Sequence, residues 1–322
     1  FGLAKKADRD FGDKLVTALN KIDRGLLPPA ASHPLQEHIA KGESGIEPLL
    51  LLVESGDERS WFNGLDALAH IFFALTAPDR RAGTSVPSSA LVRLRGQLKG
   101  KSPDQQALVM KVLAIGQDEG VLREQLTRLA DADPGVVATA ARLIGLGRYL
   151  PAARVLRELV SPERFYESRA VIWALGEIGD ASVLPALYRS LQNAFRVVDC
   201  LIAIGKIGQI TSVGELMPMA LSGAPEQRDA AWRAMAMILD HHRNEQKNLG
   251  EIFSQVKNLI ESQLRSSGAG AKTAELSGST RFHMYLCLAR MGVQLDPATV
   301  RRYLQLGVDD SEASAVARVF EK

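Results

Sequence analysis

Large rings are scarce in this chain: aromatic residues make up 6% of 322 positions, while apolar residues reach 46%. A core must therefore be filled by Ala, Leu, Ile and Val, a composition suited to closely packed helices. Cysteine is nearly absent, with only Cys200 and Cys287. That excludes a disulfide framework and fits a reducing compartment. No apolar run reaches the ~18 residues that span a bilayer; the nearest, Ala67 to Ala77, holds His70. No secretory pattern opens the chain, so a cytoplasmic location is expected. Excess charge of one sign is missing too. The 39 basic and 37 acidic residues leave a net +2, too little to draw the whole molecule to nucleic acid.

Signatures of catalysis are also lacking. Ser266 to Thr273 has the look of a phosphate loop, but Ser266 and Ala271 stand where glycine is needed, and no strand precedes them. Gly145-Leu146-Gly147 lacks the third glycine of a dinucleotide fingerprint. Adjacent His241 and His242 point about 100° apart on a helix and cannot share one ion. There is no Gly-x-Ser-x-Gly elbow. The reading is of a non-enzyme without metal or cofactor.

What is present is a repeat. Glycines recur at Gly116, Gly147, Gly179 and Gly208, spaced by 31, 32 and 29 residues. Ile115, Leu146, Ile178 and Ile207 precede them. Val112, Leu143, Leu175 and Ile204 lie four before, and Leu108, Thr139, Val171 and Cys200 eight before. Such offsets draw one buried stripe on a helix. Each glycine is expected in the left-handed position that ends a helix. A second helix comes next, with Leu184, Leu187 and Leu191 in the third unit, Val213, Leu216 and Ala220 in the fourth, and Ala152, Val155 and Leu159 in the second. The first slips by one, with Leu122, Leu126 and Leu129. Met235, Ile238 and Leu239 replay the first stripe; so do Met284, Leu288, Met291 and Gly292. One hairpin of about 30 residues cannot bury its own stripe, and stacking does so. The expected fold is all-α, an α-solenoid of stacked helical hairpins.

Ala174-Leu175-Gly176-Glu177-Ile178-Gly179-Asp180, followed by Val183-Leu184-Pro185-Ala186-Leu187, resembles the short HEAT-like repeat of phycobilin lyase subunits. Ile204-Gly205-Lys206-Ile207-Gly208 matches part of it. The resemblance implies the repeat fold and a docking surface. It leaves two other roles open: a chromophore-handling lyase-like chaperone, and a DNA-binding or DNA glycosylase-type repeat protein. No His-Glu dipeptide occurs, the pair that an iron-dependent hydroxylase on a similar repeat would require.

The chain reads as four segments. Residues 1–45 form an N-terminal amphipathic helix and cap, with Phe11, Leu15, Leu19 and Ile22 beside Lys5, Lys6, Lys14 and Lys21, ended by Pro28 and Pro29. Residues 1–25 suit a partner or a membrane surface as well. Residues 46–103 are divergent hairpins, with helices at Ile46–Glu54, Glu58–Thr76 and Ser88–Leu98. Leu49, Leu50, Val53, Trp61, Leu65, Leu68, Phe72 and Leu75 are their expected core. Residues 104–240 are the regular repeats. Residues 241–322 are divergent repeats with a Gly/Ser-rich loop at 265–280.

Between Lys111 and Lys206 there are ten arginines and no lysine, and arginine grips carboxylates bidentately. In a stacked array the second helices are expected on the concave side. Counted from the glycine, Arg154, Arg157, Arg189, Arg123 and Glu215 point outward. They form a candidate row for an acidic or helical segment of a protein partner, in a scaffold of a bacterial assembly.

Overall fold

The computed structural model describes residues 33–55, 57–77, 85–242, 249–266, 276 and 278–291. Among them every regular element is helical and no strand occurs. The helices are α1 (Gln36–Ala40), α2 (Ile46–Ser55), α3 (Glu58–Leu75), α4 (Ser88–Gly96), α5 (Pro103–Ile115), α6 (Glu119–Arg128), α7 (Pro134–Leu146) and α8 (Ala153–Glu158), then α9 (Phe165–Ile178), α10 (Leu184–Gln192), α11 (Val197–Ile207), α12 (Ser212–Ser222), α13 (Pro225–His241), α14 (Gly250–Ser266) and α15 (Gly278–Arg290). The amphipathic pattern at Phe11 to Ile22 lies outside the described residues, as does Gly292. Of the expected loop at 265–280, residues 265–266 belong to α14 and 278–280 to α15, and most of the residues between lie outside the described ones.

The chain divides into two compact units, Phe1–Ile178 and Gly179–Lys322. In the first, α2 and α3 form a hairpin, and α3, α5, α7 and α9 pack on one another in succession. In the second, α11, α13 and α15 do the same, with α12 against α13. Within each unit this is the stacking of an α-solenoid. All eight expected core residues of α2 and α3 are buried.

Local chemistry fixes where the helices begin. Asp57 accepts from the Ser60 N–H at 2.7 Å, Asp118 from Val121 at 3.0 Å and Asp133 from Gly135 at 2.8 Å. Ser102 and Gln105 cap each other's backbone around Pro103. Each such cap is worth ~1 kcal/mol.

The repeat glycines are not equivalent, which corrects the sequence expectation. Gly179 and Gly208 have φ of 76° and are left-handed. Gly116 and Gly147 have φ of −72° and −81°. The left-handed residues there come one later, at Gln117 (φ 59°) and Arg148 (φ 49°). Counted from the left-handed residue, the four repeats fall into strict columns. Four positions before it stand Leu113, Ile144, Leu175 and Ile204, all fully buried. Eight before stand Val109, Ala140, Val171 and Cys200, also fully buried. Three before stand Ala114, Gly145, Gly176 and Gly205. This small column lets the first helices approach. A Cβ on Gly145 would come within 2.9 Å of the Ala174 Cα, and one on Gly205 within 2.7 Å of the Ala234 Cα.

The same shift explains the slip in the second helices. Counting from Arg148 puts Ala153 and Leu156 at the buried positions, and Val155 turns out 36% exposed. Leu126 is half-buried for the same reason, with Leu122 and Leu129 carrying the contact. Ile178, Leu146 and Ile207, expected in the core, are half-buried at the ends of their helices. Met235, Ile238, Leu239, Met284 and Leu288 are buried, and Met291 is half-buried.

Glycine is thus needed for different reasons. At Gly179 an added Cβ meets nothing within 4 Å, so only the backbone angle matters. At Gly147 it would sit 2.6 Å from Leu122 and 2.9 Å from the Ala114 carbonyl. Gly179→Ala should therefore cost about 1 kcal/mol, with Gly179→Asn recovering much of it, since asparagine tolerates left-handed backbone. Gly147→Ala should cost ~1–3 kcal/mol by overpacking, and Gly147→Asn more. Urea unfolding of the four variants checks this; rescue by asparagine at both sites would contradict it.

Candidate protein-docking face

Both cysteines and two of the tryptophans are engaged in packing. Cys200 is fully buried, and burial pushes its thiol up to about 12, so it is no thiolate at neutral pH. Cys287 is buried with its thiol 3.7 Å from the Trp232 carbonyl. His242 Nε2 lies 2.8 Å from the Gly208 carbonyl, so the 241–242 pair joins α13 to the end of α11. No group of three His, Cys, Asp or Glu is arranged to hold a metal among the described residues. Trp232 is fully buried, and Trp173 packs where a Gly145 side chain would fall.

The five residues of the candidate row all lie on second helices, but in two groups. Arg123 on α6 and Arg154 on α8 both fall six positions after their left-handed residue, at Gln117 and Arg148. They occupy the same place in consecutive hairpins of the first unit. Their side chains are 72% and 83% exposed. Arg157, one turn on from Arg154, is half-buried and makes no ion pair among the described residues. Arg189 on α10 falls ten positions after Gly179, where the earlier repeats hold Thr127 and Glu158. Glu215 on α12 falls seven after Gly208, where α6 holds Glu124. Both are exposed, and neither shares a register position with the three arginines.

Sequence reasoning missed what ties the first group together. Arg123 pairs with Glu119 at 3.0 Å, and the Tyr149 hydroxyl donates to the same Glu119 oxygen at 2.9 Å. Tyr149 opens the 3-10 turn that leads into α8. Hydrogen bonds from Arg123 and then Tyr149 hold the Glu119 carboxyl below its usual range. Arg154 pairs with Glu158 at 3.5 Å. Arg189 donates from Nε to the Pro185 carbonyl at 3.4 Å on its own helix. Tyr188 bonds Ser212 at 2.7 Å, and its hydroxyl is pushed up by burial and then, more weakly, by Glu215.

Residues 169–193, from within α9 through α10, match the family described as PBS lyase HEAT-like repeat. Over those residues the chain is similar to a HEAT-like repeat. No curated protein matches its sequence. Solved structures similar to this chain include the following. The complex of CpcE and CpcF of phycocyanin lyase from Nostoc sp. PCC7120 is 18% identical with a TM-score of 0.39, covering 72% of this chain and 98% of that one. An engineered protein is 16% identical with a TM-score of 0.36, covering 99% and 95%. Human deoxyhypusine hydroxylase is 11% identical with a TM-score of 0.27, covering 79% and 98%. None of the described helices is long and apolar enough to cross a membrane.

One buried charge stands apart from the HEAT-like columns. Lys111 on α5 is 8% exposed, with neither ion pair nor hydrogen bond among the described residues. Burial pushes its amine down, against a weaker pull upward from Asp66. His70 is pushed down chiefly by burial, with Lys111 adding repulsion. A lysine whose folded pKa is lowered binds fewer protons folded than unfolded, so stability rises with pH up to the ordinary lysine range near 10. Lys111→Met should raise stability at pH 7 by about 1 kcal/mol or more. That gain should shrink as the pH rises toward the ordinary lysine range, because the folded-state amine sheds its charge before the unfolded one does. Urea midpoints at pH 7 and 9.5 read both effects; a destabilised methionine variant would contradict the burial argument.

Proposed function

We propose that this protein is a non-catalytic docking scaffold whose first unit holds an acidic segment of a protein partner on Arg123, Arg154 and Arg157. The observation that carries the reading is positional. Arg123 and Arg154 repeat at one place in successive hairpins, and Tyr149 and Glu119 bond the two hairpins together beside them. Arg157 stands within a turn of Arg154 and has no carboxylate of its own among the described residues. Repetition of a cation at the repeat period suits an extended or helical ligand that runs along the stack.

The energetics favour exchange of partners. Pairs as exposed as Arg123–Glu119 and Arg154–Glu158 are screened by water and hold little. A ligand carboxylate can displace Glu119 or Glu158 at little cost and gain bidentate geometry. Contacts made in a desolvated interface are worth more, since removing one partner of a buried pair there costs ~2–5 kcal/mol. Arg189 and Glu215 lie at other register positions, and the second unit contributes contacts of a different pattern.

The test is affinity capture from extract of the cell that makes the protein, with the wild type and Arg154→Glu/Arg157→Glu side by side. Arg154 is exposed and Arg157 half-buried, so helicity should be unchanged, and the melting temperature of the double variant is measured beside its capture. Recovery of at least one protein should fall tenfold or more in the double variant, and capture should weaken with salt. Equal recovery by wild type and variant would contradict the proposal.

A further inference from the structure

Lys111 is the one lysine buried among the described residues, at 8% exposure. It stands on α5, six positions before the left-handed Gln117. At that place in the following repeats stand Arg142, Trp173 and Ile202, so stacking does not demand an amine there. Helix α5 packs on α3, and the groups that share an electrostatic field with Lys111 come from that helix. Asp66 favours the charged amine, and the amine in turn disfavours a charged His70.

Asp66 is committed to another partner. It accepts from His33 Nε2 at 3.3 Å, and its side chain is 39% exposed, which screens its charge. His33 Nδ1 accepts from the Leu35 N–H at 3.0 Å, which places the ring proton on Nε2. The His33 ring meets His70 edge-on, with centroids 5.8 Å apart. His70 Nε2 is itself buried and has no hydrogen-bond partner among the described residues. Beside the His33–Asp66 pair, Lys111 Nζ and His70 Nε2 are thus both left without a bond.

A buried ammonium with no acceptor is costly, and a lysine in that setting becomes a neutral nucleophile. A neutral imidazole offers one nitrogen that can take a proton. Together they supply what amine chemistry needs: a lone pair, and a base for the proton released. An electrophile that enters a packed helix interface must be small and uncharged, and carbon dioxide is both.

We propose that Lys111 is a carbamate-forming site for carbon dioxide, with His70 as the acceptor of its proton. The Nζ lone pair attacks the carbon of carbon dioxide. A C–N bond forms, and one C–O π pair withdraws onto oxygen. Nζ then gives one proton to His70 Nε2. The products are a carbamate and an imidazolium, so the net charge of the site is unchanged. The carbamate oxygens give the new Nε2–H an acceptor, and both groups gain a charge-assisted bond. Arg142, at the same register position, cannot react this way because a guanidinium keeps its proton.

Carbon NMR of the full-length chain under isotope-labelled carbon dioxide, near neutral pH, tests this. Labelling lysine Nζ with isotopic nitrogen splits the carbon signal of any side-chain carbamate and leaves that of a terminal amine single. The wild type should show one split resonance that Lys111→Met and Lys111→Arg both lack. It should be stronger than those of exposed lysines such as Lys41, Lys99 and Lys257. His70→Gln, which can donate but takes no proton, should weaken it about tenfold, the effect of losing one charge-assisted bond. Stability is the second readout. Carbon dioxide should raise the urea midpoint of the wild type and leave that of Lys111→Met in place, because it reacts at a site formed only on folding. Identical split resonances in the wild type and both Lys111 variants would overturn the proposal. So would a resonance that His70→Gln leaves at full strength, or equal midpoint shifts in the wild type and Lys111→Met.

Discussion

The left-handed residue that closes each first helix sets the register of the second helix. Where it is glycine, as at Gly179 and Gly208, the helix ends on the glycine itself. Where it is Gln117 or Arg148, the glycine caps the helix at negative φ and the left-handed residue comes one position later. A non-glycine residue there costs roughly 1–2 kcal/mol. The cost is offset by core burial: Leu113 and Ile144 are fully buried, and each such side chain contributes ~1.5–3 kcal/mol. Gly116 and Gly147 are then used for contact, against Phe72 and Leu122.

The exit residue also decides which side chains of the second helix face water. Arg123 and Arg154 are equivalent because each stands six residues past its exit. Val155, one position further on, is exposed for the same reason, although it is apolar. The alignment of the candidate docking residues thus follows from how the preceding helix ends. The Tyr149–Glu119 bond fixes it further by joining the start of α6 to the turn before α8.

Much of the fold is legible from the residues. The hairpin of α2 and α3 can be read with its core complete, because Leu49, Leu50 and Val53 and the Trp61 to Leu75 series keep strict helical spacing. Asp57, Ser102, Asp118 and Asp133 are capping residue types followed by helix formers, which local chemistry makes readable. The exit register is not legible at Gln117 and Arg148, because neither residue type prefers left-handed backbone. A glycine one position earlier carries the stronger local signal. The half-buried state of Ile178 comes from its place at the last turn, which periodicity alone does not report. For the candidate face, solvent exposure of the residues is readable, but their alignment is not. Counting from the glycine puts Arg189 and Glu215 in line with the others, and counting from the exit residue separates them. Long-range pairs such as Tyr149–Glu119 and His33–Asp66 join residues about 30 apart in sequence and leave no trace in local pattern.

The most direct test of this account is the backbone geometry at the ends of α5 and α7 in solution. Backbone chemical shifts and amide-to-Hα couplings of the isotope-labelled protein report φ at Gly116, Gln117, Gly147 and Arg148. The account predicts helical angles at both glycines and positive φ at Gln117 and Arg148. Positive φ at Gly116 and Gly147, with extended or helical angles at the residues after them, would contradict it.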